Sequence, residues 1–127
     1  MSVNDRRSAR RFESSDGKLR LHTEPVHSTG HDLVDFSYNS ARFVASESFR
    51  QEQELIFDLT TAGHDINTLK GYVVRVDNAE EFQDKYFVVI KFLPFSTLEK
   101  FNTLENYRLL KTLIAEMESK GPDPRVR

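Results

Sequence analysis

Residues 19–92 consist of short segments in which aliphatic, aromatic and β-branched side chains alternate with polar ones, each closed by a turn signal, and this restricts the chain to β architecture. Alternation with a period of two sends one set of side chains into a core and the other to solvent, so each segment reads as a half-buried strand. Leu19, Leu21 and Thr23 share one face of the first, after the turn pair Asp16-Gly17. From residue 33 to 45 the pattern kinks at Asp35-Phe36-Ser37-Tyr38-Asn39-Ser40 and resumes as the strand Ala41-Arg42-Phe43-Val44, so a sharp polar turn is expected there. Residues 55–59 form a further strand that Ala62-Gly63-His64-Asp65 breaks. Residues 69–76 and 85–92 are long strands, joined into a hairpin by the acidic connector 77–84. With no helical segment between the strands, an antiparallel barrel is favoured over a parallel α/β sheet.

Helical periodicity comes last. Ser96-Thr97-Leu98-Glu99 fits the capping box, in which the serine and the glutamate satisfy each other's backbone donors. Leu98, Phe101, Leu104, Leu110, Leu113, Ile114 and Met117 form an apolar stripe behind it, with Tyr107 and Leu109 flanking the stripe and leaving room for a homodimer contact. Gly121-Pro122 ends the helix. The expected organisation is an Arg-rich mobile arm over 1–15, a barrel over 16–95, a helix over 96–120 and a tail over 121–127. At 127 residues and 38% apolar composition this is one domain.

Composition narrows the function classes. A net charge of −2 is far from the basic balance of a general nucleic-acid binder, so no nucleic-acid partner is expected and any affinity for phosphate must be local. There is no cysteine for disulfide or thiolate chemistry. No apolar run approaches the roughly 20 residues of a membrane span, and none follows Met1 as a signal peptide would, so the reading is a soluble, cytoplasmic protein without membrane insertion. His22, His27, His31 and His64 suggest a metal, but Pro25 and the Ser-Thr-Gly between His27 and His31 argue against a ligating helix, and no metal site is expected. Asp77, Glu80, Glu81 and Asp84 read as a solvated acidic loop. No nucleophile, base and stabilising group can be assembled, so no enzyme is expected.

Two features carry chemistry. Arg6, Arg7, Arg10 and Arg11 crowd the N-terminal arm, with Arg7 and Arg11 in an R-x-x-x-R spacing and Arg6 and Arg10 in an overlapping one. A guanidinium can fork onto the O6 and N7 edge of guanine, clamp a phosphate or stack on a purine, and a phosphorylated guanine ligand uses all three. The turn complements it: the Asp35 carboxylate can accept from guanine's ring N–H and exocyclic amine, with Ser37 donating or accepting nearby. Taken singly, a solvated basic tail and a turn bonded to its own backbone are competing readings.

In this order the two motifs resemble the PilZ family, whose signature is R-x-x-x-R followed by D/N-x-S-x-x-G running into a strand. The match reads Arg7-x-x-x-Arg11, then Asp35-Phe36-Ser37-Tyr38-Asn39-Ser40-Ala41-Arg42-Phe43. It continues with Lys70-Gly71-Tyr72-Val73-Val74-Arg75-Val76, similar to the family's G-x-V-x-R-V strand, and Tyr86-Phe87-Val88-Val89-Ile90-Lys91-Phe92, similar to its closing strand. The resemblance implies a bacterial second-messenger module: a six-stranded antiparallel barrel with an appended helix, cyclic di-GMP as ligand and no other cofactor. A downstream protein would be its reader. The ligand contacts it implies are Arg6, Arg7, Arg10, Arg11, Asp35, Ser37 and Ser40. Two positions depart from the family, Ser40 and Val89 standing where glycine is usual. If the turn needs a positive φ at residue 40, serine there carries a steric cost, and Val89 would crowd a ligand on its face. These departures favour the alternative of a PilZ-like adaptor that binds no nucleotide and acts through protein contacts. A third reading, a small RNA- or DNA-binding barrel, would use the arginines on phosphates and Phe36, Tyr38 and Phe43 for stacking.

Overall fold

The computed structural model describes residues 10–25, 28–79 and 84–120. Its elements in chain order are β1 (Phe12–Glu13), β2 (Lys18–Leu21), β3 (His31–Phe36), β4 (Ser40–Ala45), β5 (Glu54–Thr61), β6 (His64–Asn78), β7 (Tyr86–Phe92) and α1 (Leu104–Ser119). The strands pair in the order β3-β2-β5-β6-β7-β4, all antiparallel, and β4 pairs again with β3 to close the sheet on itself. The result is the six-stranded antiparallel barrel with a C-terminal helix that the sequence suggested, with one strand added.

That extra strand is β1, which lies inside the segment expected to be an arm. It pairs Phe12 with Phe36 and Glu13 with Asp35, on the same edge of β3 whose other half β2 occupies. Phe12 supplies the reason: it is buried, and its ring lies 5.9 Å from that of Phe36. The sheet therefore begins by Phe12, ahead of Asp16.

Alternation sets the core. Leu19, Phe36, Phe43, Phe57, Leu59, Ile66, Leu69, Val73, Val88 and Ile90 are fully buried inside the ring of strands, each contributing about 1.5–3 kcal/mol of apolar burial. Gly71 is needed where β6 crosses β7, since a Cβ there would come within 2.6 Å of both Ile90 Cγ2 and the Lys91 carbonyl oxygen. His64 and Asp65, expected to break a strand, instead begin β6 opposite Thr61 and Thr60. The break is confined to Ala62 and Gly63, at φ 53° and 81°; positive φ at both central residues is the two-residue hairpin geometry that matches strand twist.

The helix starts at Leu104, not at Ser96. Ser96 Oγ accepts from the Leu98 amide in a local turn, and Thr103 caps α1 by accepting from the Asn106 amide at 3.1 Å. Asn102 prevents an earlier start. Its side chain is buried, accepts from Lys70 N and donates to the carbonyls of Lys70 and Leu93, so the segment before α1 is clamped to β6 and to the end of β7. Leu110 and Leu113 seal α1 to the core, with Ile114 and Met117 beside them, while Leu98 and Leu104 of the expected stripe are 55% and 42% exposed.

Candidate functional site

Two β-bulges build the site. In β3, Leu33 faces Phe43 and Asp35 faces Arg42, so Val34 has no counterpart in β4. In β6, Val73 faces Ile90 and Arg75 faces Val89, so Val74 is likewise extra. A regular strand would point Asp35 inward with Leu33, and Arg75 inward with Val73, because side chains repeat every two residues. Each bulge shifts the parity by one and delivers a charged side chain to the outer wall. Phe36 and Val76, the next residues, turn inward in their place: Phe36 is fully buried and Val76 packs against the core.

Asp35 lies between two arginines. Arg11 Nε and Nη2 both donate to Asp35 Oδ1, at 3.0 and 2.8 Å, and Arg42 Nη2 donates to Asp35 Oδ2 at 2.7 Å. Arg11 Nη1 reaches on to Ser40 Oγ at 2.6 Å. Ser40 Oγ lies 3.1 Å from Ser37 Oγ, which donates to Asn39 Oδ1 at 2.8 Å, so one polar chain runs from Arg11 through the turn. The Ser37 amide closes that turn on the Ser40 carbonyl. Arg42 also lies over the Phe87 ring, 5.5 Å from its centroid, and its Nε is buried without a hydrogen-bond partner.

Beside this network is a cleft of about 540 Å³ lined by Arg11, Asn39, Ser40, Arg42, Val74, Arg75, Val89 and Lys91. Four of these side chains are cationic and none is a carboxylate, while Val74 and Val89 give it an apolar floor. Such a surface attracts an anion with several charged oxygens and an apolar or planar body. Arg75 is tied at the rim to Asp77 at 2.7 Å and stays 70% exposed.

The structure thus brings together Arg11, Asp35, Ser37 and Ser40 of the residues implied by the resemblance. Arg10 lies over the Phe12 ring, 5.0 Å from its centroid, and does not line the cleft. Arg6 and Arg7 lie outside the described residues. Ser40 carries no steric cost. It begins β4 opposite Lys91, and the described non-glycine residues with positive φ are Glu52, Ala62, Thr68 and Asp84. Its hydroxyl supplies an acceptor for Arg11 that glycine could not. Val89 does occupy the cleft floor. Sequence reasoning missed Arg42, Arg75 and Lys91 as cleft residues. Arg42 was legible, two places after Ser40 on the same strand face; Arg75 was not, because it depends on a bulge.

The histidines are paired with carboxylates. His22 Nε2 lies 2.7 Å from Asp58, His31 Nε2 2.7 Å from Glu24 and His64 Nε2 2.6 Å from Glu116; His27 lies outside the described residues. Burial pushes the Asp58 carboxyl up, but hydrogen bonds from His22 and the Thr68 amide, with the charges of His22 and Arg20, outweigh it and hold the carboxyl below its ordinary range. Glu116 is held low chiefly by its hydrogen bond with His64.

The fold is a PilZ-like barrel. Among solved structures the chain is similar to the Bacillus subtilis inhibitor of motility MotI/DgrA, a PilZ-domain protein, with a TM-score of 0.56 and 13% sequence identity. The match covers 88% of this chain and 51% of that one, so the chain spans about half the length of its structural neighbour. No family model matches the sequence, and no curated protein does.

Proposed function

We propose that the protein is a cyclic di-GMP sensor domain without catalytic activity, in which arginines close on a ligand held at the barrel wall. The observation that carries this reading is the carboxylate-free cleft, with Arg11, Arg42, Arg75 and Lys91 gathered beside the D-x-S turn of a PilZ-like barrel. The phosphates of a cyclic dinucleotide pair with the guanidiniums, the Ser40 hydroxyl completes the Arg11 side of the site, and Val74 supports the flat part of the ligand. Arg6, Arg7 and Arg10 add further charge from the arm. The bound surface is then read by a downstream protein, in the cytoplasm of a bacterium. No described helix is long and apolar enough to cross a membrane.

The test is calorimetry with cyclic di-GMP, using GMP and a short oligonucleotide as controls. Selective, saturable binding is expected, and Arg11→Ala should weaken it about 10- to 100-fold, the worth of charge-assisted hydrogen bonds. A folded parent that gives no heat with cyclic di-GMP overturns the reading. Val89 in the cleft floor favours a second one, an adaptor that acts only through protein contacts. The structural neighbour is described as an inhibitor of motility, which is compatible with either mode.

A further inference from the structure

Asp35 occupies the motif position from which a carboxylate could accept from guanine's ring N–H and amine. Its surroundings assign it other work. Three N–H donors from two guanidiniums already engage its oxygens, two on Oδ1 and one on Oδ2. A carboxylate has about four lone-pair directions, so at most one is left for a ligand, whereas a guanine edge presents two donors side by side. Asp35 is also 6% exposed and does not line the cationic cleft. It lines instead the neighbouring depression, where Glu13, Asp16 and Asp32 outnumber the cations Lys18, which pairs with Asp32 at 2.6 Å, and Arg42. That side attracts an anionic ligand less than the cleft does.

We propose that Asp35 is a positioning residue: it fixes the guanidiniums of Arg11 and Arg42 at the cleft, and the ligand is held there through its phosphates without the paired ring N–H and amine of a guanine on Asp35. The inference rests on the cyclic dinucleotide reading above and deepens it. Geometry supports it on both arginines. Arg11 uses Nε and Nη2 on Asp35 and keeps Nη1 on Ser40, while Arg42 spends one Nη2 hydrogen bond on Asp35 and keeps Nη1 for a phosphate. Pairing with one buried carboxylate removes the rotamer freedom that two long side chains would otherwise lose on binding.

The discriminating experiment is a double-mutant cycle between protein and ligand. Cyclic di-GMP and its analogue lacking the exocyclic amines, cyclic di-IMP, are titrated into the parent and into Asp35→Asn, which keeps the shape and removes the charge. Both ligands are expected to lose affinity by the same factor, about tenfold, the scale of one weakened charge-assisted contact. An unchanged melting temperature with ligand absent assigns that loss to the site. If Asp35→Asn weakens cyclic di-GMP but not the analogue, Asp35 reads the guanine amine and the proposal fails. It fails equally if neither affinity changes. A parent that binds neither ligand overturns the nucleotide reading itself, an outcome distinct from the other two.

Discussion

Asp58 carries a disproportionate share of local order for one side chain. The ladder between β5 and β6 shifts register after Phe57, and Thr68 in that irregularity has φ 61°, a conformation that a β-branched residue rarely adopts. Asp58 Oδ1 accepts from the Thr68 amide at 2.9 Å and bonds His22, while Arg20 pairs with Oδ2. The carboxyl is held below its ordinary value, so the folded protein binds this proton less readily than the unfolded chain. Its contribution is complete above about pH 4, where the unfolded carboxyl is ionised, and is lost as pH falls through the folded value. Asp58→Asn should cost about 1–2 kcal/mol at neutral pH and flatten the acid limb of a stability-against-pH curve measured by urea unfolding. A variant whose acid limb matches the parent would assign the pH dependence elsewhere. Little of this was legible in the sequence, where Asp58 is simply a polar residue in an alternating strand.

At the scale of elements, legibility followed the strength of local pattern. The strand Ala41-Arg42-Phe43-Val44 and β7 were readable because their alternation is regular across the pairs Phe43 with Val88 and Ala41 with Ile90. The bulges at Val34 and Val74 were not, since an extra residue is recorded only in the partner strand's register. Helix α1 was readable as a helix but not where it starts. Ser96 and Glu99 have capping-box spacing, yet the buried Asn102 holds the intervening chain to Lys70 and Leu93. The true cap is testable: Thr103→Ala should lower stability by about 1 kcal/mol, whereas Ser96→Ala should change the urea midpoint by much less. Equal losses would restore the earlier start. Of the site, the turn that joins β3 to β4 was legible as a motif, while the cationic face assembled by β4, β6 and β7 required the fold.

For the whole molecule, a net charge of −2 coexists with a cleft whose charged lining residues, Arg11, Arg42, Arg75 and Lys91, are all cationic. Ligand binding should therefore depend on salt despite the near-neutral total. Cyclic di-GMP affinity is expected to fall several-fold as salt rises from about 0.05 to 0.3 M, because the shorter Debye length screens the cleft's cations from the ligand's phosphates. Calorimetry at several salt concentrations checks this, and a flat response would mean that the cleft's charges do not reach the ligand.

Closure of the barrel also bears on how the protein behaves in a crowded solution. Each of β2 to β7 has a neighbour on both sides, so the ring has no terminal strand, although β6 pairs with β5 over its first half and with β7 over its second and is doubly paired only near Gly71 and Tyr72. The strand left with one neighbour is β1, which is two residues long and preceded by Arg10 and Arg11. So short and so charged a margin is a poor template for another chain's strand, which protects the fold against sheet-to-sheet aggregation.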